Sequence, residues 1–317
     1  MILVAGSANL DFVVRAPRIP APGETVLGRD FQTYPGGKGA NQAVACARAG
    51  AAGTAMLLAL GDDVHATPLE ASLQAAGVQA HIVRVKDQAT GTAFICVSDD
   101  AENAITVAPG ANFALRAEHL PPLAGVSHLL LQLETPMASV TAYARAARAL
   151  GIKVALNAAP AQSLSSELLA LLDVLIVNQG ELAVLANTAG SIAQRMARLS
   201  VPCVVVTLGR LGCCARVDGA LLAQTAFEVA PIDTTGAGDT FCGVLVATLS
   251  QGHSLPDALR RASAAGALAC TRPGAQSSIP TQAEVDALLA ASAPDSDAGL
   301  AELRRFCGFD AAASCTA

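Results

Sequence analysis

Short apolar runs of strand length alternate along most of the chain with segments of helical apolar spacing, and this alternation is what most limits the fold. Ile2–Ala5, Lys153–Asn157, Val174–Asn178 and residues 54–60, 128–133 and 203–208 read as strands. Residues 40–49, 68–76, 137–150, 165–172, 180–187, 191–199 and 239–249, and a last segment near Gln282–Ala291, read as helices. Unbroken apolar strands separated by helices predict an α/β protein whose mostly parallel sheet is covered by helices on both faces. The 317 residues, 52% of them hydrophobic and 15% charged, suffice for one large core and argue against extended disorder.

Two regions break the pattern. Residues 25–34 alternate like a half-exposed strand, and 92–97 and 103–107 flank a polar turn as a hairpin would. They predict a separate small sheet, a lid drawn from about 12–34 and 90–108 over a main domain of residues 1–292. Residues 293–317, with one helical patch at 300–306, read as a C-terminal appendage without catalytic content.

Several function classes are disfavoured. A net charge of −6 with no basic run argues against nucleic acid. The N-terminus lacks a basic flank for a signal peptide, and apolar runs fall short of a membrane span. Nine cysteines scattered through apolar runs, none in Cys-x-x-Cys spacing, read as reduced thiols of a cytoplasmic protein rather than disulfides or zinc ligands.

Six constellations can carry chemistry. Asp233-Thr-Thr-Gly-Ala-Gly-Asp239 puts a Gly-x-Gly turn at the start of a long apolar helix. Free N–H groups and the helix dipole favour an anion there, so Gly236, Ala237 and Gly238 read as an anion hole. Asp239 reads as a general base for a hydroxyl, or as a carboxylate satisfying helix-terminal N–H groups. Gly36-Gly37-Lys38-Gly39-Ala40-Asn41 opens an earlier helix. It is neither a Walker A loop nor a dinucleotide fingerprint, and reads as a plain turn or as N–H groups and an amide suited to neutral hydroxyls. Asn9 and Asp11, two apart past the first strand, share one side of an extended chain and can grip adjacent sugar hydroxyls, or form an Asx turn. Glu134 is a lone carboxylate ending an apolar strand, either a ligand or the first solvated residue. Asn178-Gln-Gly-Glu181 reads as a capping box or as groups near Mg²⁺ and its waters. Thr207 and Gly209, at another strand end, read as phosphate contacts or as a tight turn into Cys213–Val217.

From Ile2 to about Leu289, these residues resemble the ribokinase branch of the PfkB carbohydrate-kinase family. The 36–41 motif looks like its N-terminal signature and the 233–239 motif like its C-terminal one. The resemblance implies a three-layer α/β sandwich with a β-sheet lid that pairs two subunits, hence a homodimer. It implies transfer of the ATP γ-phosphate to the 5-hydroxyl of D-ribose by in-line displacement. In that family's terms Asn9, Asp11, Gly37, Lys38, Asn41 and Glu134 contact the sugar, and Asp239 is the base. Gly236, Ala237 and Gly238 form the anion hole, while Asn178, Thr207 and Gly209 contact the nucleotide. Glu181 is tied to Mg²⁺ and phosphate. Ser263 stands near the adenine, where relatives often carry His or Asn. A K⁺ is expected at Asp233, Thr235, Ala269, Arg272, Gly274 and Ser278, several through backbone carbonyls. The alternatives are a family kinase for another sugar or a nucleoside (deoxyribose, fructose, ketodeoxygluconate), or a catalytically silent sugar-binding protein. The scarcity of aromatics disfavours a nucleoside, and Asp239 with its glycine turn disfavours silence.

Overall fold

A computed structural model describes residues 1–100 and 102–309. In chain order its strands are β1 (Ile2–Ala5), β2 (Asn9–Ala16), β3 (Arg29–Gly36), β4 (Thr54–Gly61), β5 (Gln79–Val85), β6 (Gly91–Ser98), β7 (Asn103–Ala108), β8 (His128–Leu131), β9 (Lys153–Asn157), β10 (Val174–Asn178), β11 (Cys203–Thr207), β12 (Cys213–Val217) and β13 (Ala220–Gln224). Its helices are α1 (Lys38–Arg48), α2 (Ala66–Ala75), α3 (Met137–Ala149), α4 (Ser166–Leu171), α5 (Gln179–Ala186), α6 (Ile192–Met196), α7 (Ala237–Ser250), α8 (Leu255–Ala269), α9 (Gln282–Ala291) and α10 (Asp297–Cys307).

Nine strands form the central sheet in the order β13-β12-β11-β10-β9-β8-β1-β4-β5; β12 pairs antiparallel with both β11 and β13, and the other neighbours pair parallel. Alternate residues of β1 serve opposite faces. Ile2 and Val4 join a core with α1, α2, α7, α8 and α9, whereas Leu3 and Ala5 join one with α3, α4, α5, α6 and α10. The result is the expected three-layer sandwich. The smaller sheet has the order β3-β2-β6-β7. Its third-strand expectation shortens: of residues 25–34, only those from Arg29 onward pair, and the pairing runs on to Gly36. Asn9 and Asp11 themselves belong to this sheet, because β2 begins at Asn9.

Helix α7 is apolar around most of its circumference and lies buried between α1 and α8. Its approach to α1 depends on Gly243, where a Cβ would fall 2.6 Å from the Gln42 carbonyl oxygen. That contact brings the first turn of α1 beside Asp239. Residues of the expected appendage form α10, whose Leu303 and Cys307, followed by Phe309, are buried in the core. Among the described residues, no helix is long and apolar enough to cross a membrane.

Candidate active site

The chain winds outward from β1 in both directions, with β4 on one side and β8 on the other. Ligands of open α/β sheets bind beyond the strand ends at such a reversal. Here Ser7 follows β1, Glu134 follows β8, and the start of α1 lies over them. The Ser7 hydroxyl donates to Glu134 Oε2 at 2.5 Å, and the Lys38 backbone N–H donates to the same oxygen at 3.1 Å. Gly37 caps α1 with φ +87°, and a Cβ there would meet the Asn9 backbone nitrogen at 2.7 Å, so only glycine closes this corner.

Asp239 is 8% exposed in the first turn of α7. Neither carboxylate oxygen caps its own helix. Asn41 Nδ2 donates to Oδ2 and Gln42 Nε2 donates to Oδ1, both at 2.9 Å. Gln42 Nε2 also lies 2.9 Å from Asn157 Oδ1, and Gln42 Oε1 accepts from Gln132 Nε2 at 2.7 Å. A buried relay of amides thus fixes the carboxylate. Asn41 Oδ1 is buried without a partner, an acceptor left open beside Asp239.

On the side of the smaller sheet, Asn9 Oδ1 accepts from Asn112 Nδ2 at 2.8 Å, and Asn112 also spans the Ala8 peptide. Asp11 is 8% exposed and pairs in register with Tyr34. Its carboxylate fits because residue 36 is glycine; a Cβ there would lie 2.1 Å from Asp11 Oδ2. Burial pushes the Asp11 carboxyl up to about 7, and the nearby charges of Glu134 and Asp239 push the same way. The Lys38 ammonium is raised, first by Asp239 and then, against its own desolvation, by Glu134 and Glu181.

Lys38, Asn178, Glu181, Thr207, Gly238 and Asp239 line a cavity of about 160 Å³. Thr207 and Gly238 also line an adjoining cleft of about 870 Å³, to which Gly209, Ala237 and Ser263 contribute. Gly236 caps α7 in the left-handed conformation, φ +72°. The first amides of α7 lack intrahelical acceptors, and the space around Gly238 is open. Asn178 and Glu181 form the capping box: Asn178 Oδ1 accepts from the Glu181 N–H and Glu181 Oε2 from the Asn178 N–H, each at 2.8 Å. Both also face the cavity, so capping and ligand readings coexist. Burial raises the Glu181 carboxyl. An oxygen donor set around a carboxylate lacking full compensation fits a hard divalent cation.

The expected cation loop is drawn together only in part. Asp233 Oδ1 accepts from the Thr235 N–H at 2.9 Å and hydroxyl at 2.6 Å, and Oδ2 accepts from the Gly274 N–H at 2.8 Å. Burial raises the Asp233 carboxyl, but these bonds outweigh it and hold it low. One ionised carboxylate beside neutral carbonyls fits a monovalent cation. The Arg272 guanidinium pairs with Glu284, leaving its carbonyl for that role. Ala269 ends α8, and the Ser278 hydroxyl donates to the Ala275 carbonyl at 2.8 Å.

Ser7, Gln42, Asn112, Gln132 and Asn157 escaped the sequence reading. Gln42 follows Asn41 directly, and Asn157 ends an apolar strand as Glu134 does, so a signal was present for these two.

The family model described as "pfkB family carbohydrate kinase" matches residues 1–282. A ribokinase of Haemophilus influenzae is 39% identical over 295 residues, covering 89% of this chain and 96% of its own. A ribokinase of Bacillus subtilis is 37% identical, covering 91% and 99%. Among solved structures, Arabidopsis thaliana ribokinase complexed with ribose and ATP superposes with a TM-score of 0.84 at 32% identity, covering 92% of this chain and 99% of that one.

Proposed function

Since the chain belongs to the pfkB family of carbohydrate kinases, we propose that it phosphorylates the 5-hydroxyl of D-ribose with ATP, yielding ribose 5-phosphate. The observation that carries this reading is Asp239, held by two amides at the amino end of α7, between the lid-side polar groups and the large cleft. The similarity to ribokinases, one solved with ribose and ATP, supports the choice of substrates.

In the proposed reaction Asp239 takes the proton of the 5-hydroxyl as that oxygen attacks the γ-phosphorus, and the bond from phosphorus to the ADP oxygen breaks. Asn9, Asp11 and the open Asn41 oxygen hold the remaining hydroxyls, with Glu134 fixing the Lys38 corner. Positioning of this kind supplies much of the rate. The amides of Gly236, Ala237 and Gly238, with Lys38, balance charge on the transferred group. Asn178 and Glu181 would hold Mg²⁺, which supplies charge neutralisation of the ATP phosphates. Thr207 and Gly209 face the nucleotide, and Ser263 lies at its base end. Asp233, with carbonyls near Thr235, Ala269, Arg272, Gly274 and Ser278, would hold K⁺, which supplies rigidity to the loop bearing the anion hole. Exposed Phe31, Phe94, Ile105 and Val107 on the lid support pairing with a second copy as a homodimer. The same reading takes the reaction to be cytoplasmic.

The test is ADP release from Mg-ATP over a panel of pentoses, hexoses and nucleosides, with and without K⁺. Ribose turning over fastest, and faster with K⁺, is the expected result; preference for another sugar would overturn the substrate, and K⁺ independence the cation site. Sedimentation of the same preparation only as the 31.8 kDa monomer would overturn the dimer.

The raised Asp11 carboxyl gives a pH dependence. An ionised carboxylate accepts stronger, charge-assisted bonds from two sugar hydroxyls than the neutral acid does, so kcat/KM for ribose should fall as pH drops below about 7, by up to about tenfold for each unit. The Asp11→Asn variant should lose that limb along with most affinity. A flat wild-type profile from pH 6 to 8 would contradict the sugar-gripping role. Stability of the unliganded protein runs the other way. The folded state holds the Asp11 proton more tightly than the unfolded chain, so this contribution is lost as pH rises from 3.8 to about 7.

A further inference from the structure

Helix α10 lies beyond residue 282, where the family match ends, yet its Gly299, Glu302, Leu303 and Phe306 form part of the wall of the large cleft. The ribokinases of Haemophilus influenzae and Bacillus subtilis are covered over 96% and 99% of their length while 89% and 91% of this chain is used. The four residues stand at i, i+3, i+4 and i+7, one face of the helix. Facing the same space from α8 are Ser263, Gly266 and Ala267, also one face, and all small. Small side chains on one wall and a large one on the other leave a slot between two helices. The slot is continuous with Thr207 and Gly238, which also line the cavity containing Asp239.

The position of α10 is fixed. Asp295, just before it, accepts from Gln224 Nε2 at 3.0 Å, from the Thr225 N–H at 3.2 Å and from the Thr225 hydroxyl at 2.7 Å. Ser296 caps the helix, accepting from the Gly299 N–H at 3.1 Å. Leu303, Cys307 and Phe309 are buried beneath it. Phe306 by contrast is 48% exposed, in a chain with eight Phe and no Trp. Folding does not require an aromatic ring on that wall; a flat apolar ligand would use it.

We propose that α10 is the base-side wall of the nucleotide site, with the Phe306 ring packing against the adenine across from Ser263, Gly266 and Ala267. This rests on the kinase reading only for the identity of the cleft's occupant. Phe306 is thus a nucleotide-affinity residue supplied by a segment outside the matched family region.

Equilibrium titration of ADP and of inorganic tripolyphosphate into wild type, Phe306→Ala, Phe306→Leu and Arg305→Ala separates the possibilities without any turnover. Stacking of a base on an aromatic ring predicts that Phe306→Ala weakens ADP at least about fivefold. Tripolyphosphate, which has no base, should bind wild type and variant alike, Phe306→Leu should fall between, and Arg305→Ala, outside the cleft, should match wild type. Thermal unfolding of each variant checks folding, which half-exposure of Phe306 leaves intact. Equal ADP affinity of wild type and Phe306→Ala would overturn the role of α10 while leaving the kinase reading standing. Failure of wild type to bind ADP at all would overturn both.

Discussion

Replacing Asp239 by Asn is expected to lower kcat by about 10²–10⁴-fold, the span that a positioned general base contributes, with ribose still bound. The isosteric change removes the proton acceptor and keeps the shape. It also disturbs the clamp, because Asn41 Nδ2 and Gln42 Nε2 each donate to one carboxylate oxygen. An Asn side chain offers one acceptor and one donor, so one of the two amides loses its partner. An unsatisfied buried donor costs about 1–3 kcal/mol, a Tm change of several degrees in a chain of this size. The two effects are separable: kcat by ADP release under saturating substrates, ribose affinity by calorimetry, and Tm by thermal unfolding. A helix-capping role would give the Tm loss with kcat nearly kept. The geometry already weighs against it, since both oxygens are engaged by α1 rather than by amides of α7. Wild-type kcat in the folded variant would remove Asp239 as the base.

Much of this arrangement was legible because it is local. A glycine that must adopt φ +87° or +72° before a helix leaves a mark in the sequence, and Gly37 and Gly236 left one each. The capping box at Asn178 and Glu181 was read correctly as a local motif, but only the fold places it in the cavity with Asp239. The buried strands announced themselves by unbroken apolar runs. β5, at the sheet edge, has a mixed exposure pattern and lacked that signature, and the buried stripe of α8 is carried mostly by alanines (Ala258, Ala262, Ala265, Ala269), which mark a helix face weakly. What the sequence could not give was distance. Gln42, Gln132 and Asn157 are spread over 116 positions and meet because the first turn of α1 reaches residues at the ends of β8 and β9, while Gly243 lets α7 bring Asp239 to them. The role of 297–307 was hidden for a related reason. A short amphipathic helix after the last family-like element looks like a surface appendage until Leu303, Cys307 and Phe309 are seen in the core.

The amide relay carries the second large expectation. Gln42→Leu leaves a buried side chain of similar length, makes it apolar, and removes all three of its hydrogen bonds. Gln132 Nε2 loses its acceptor, Asn157 Oδ1 loses one donor, and Asp239 Oδ1 loses its one side-chain donor among the described residues. At about 1–3 kcal/mol for each stranded buried group, stability should fall by roughly 3 kcal/mol or more, measured by urea unfolding. Activity should fall through kcat, because a carboxylate held by Asn41 alone is free to rotate away from the reacting hydroxyl, and a misplacement of about 1 Å can cost as much as ~10²-fold. Ribose affinity should change little, since Gln42 is fully buried behind Asp239 and has no face toward the sugar side. That split distinguishes a positioning residue from a merely structural one. If stability falls and kcat does not, the relay only packs α1 against α7. If KM for ribose rises with kcat unchanged, Gln42 orders the sugar pocket and the orientation of Asp239 must be set by Asn41.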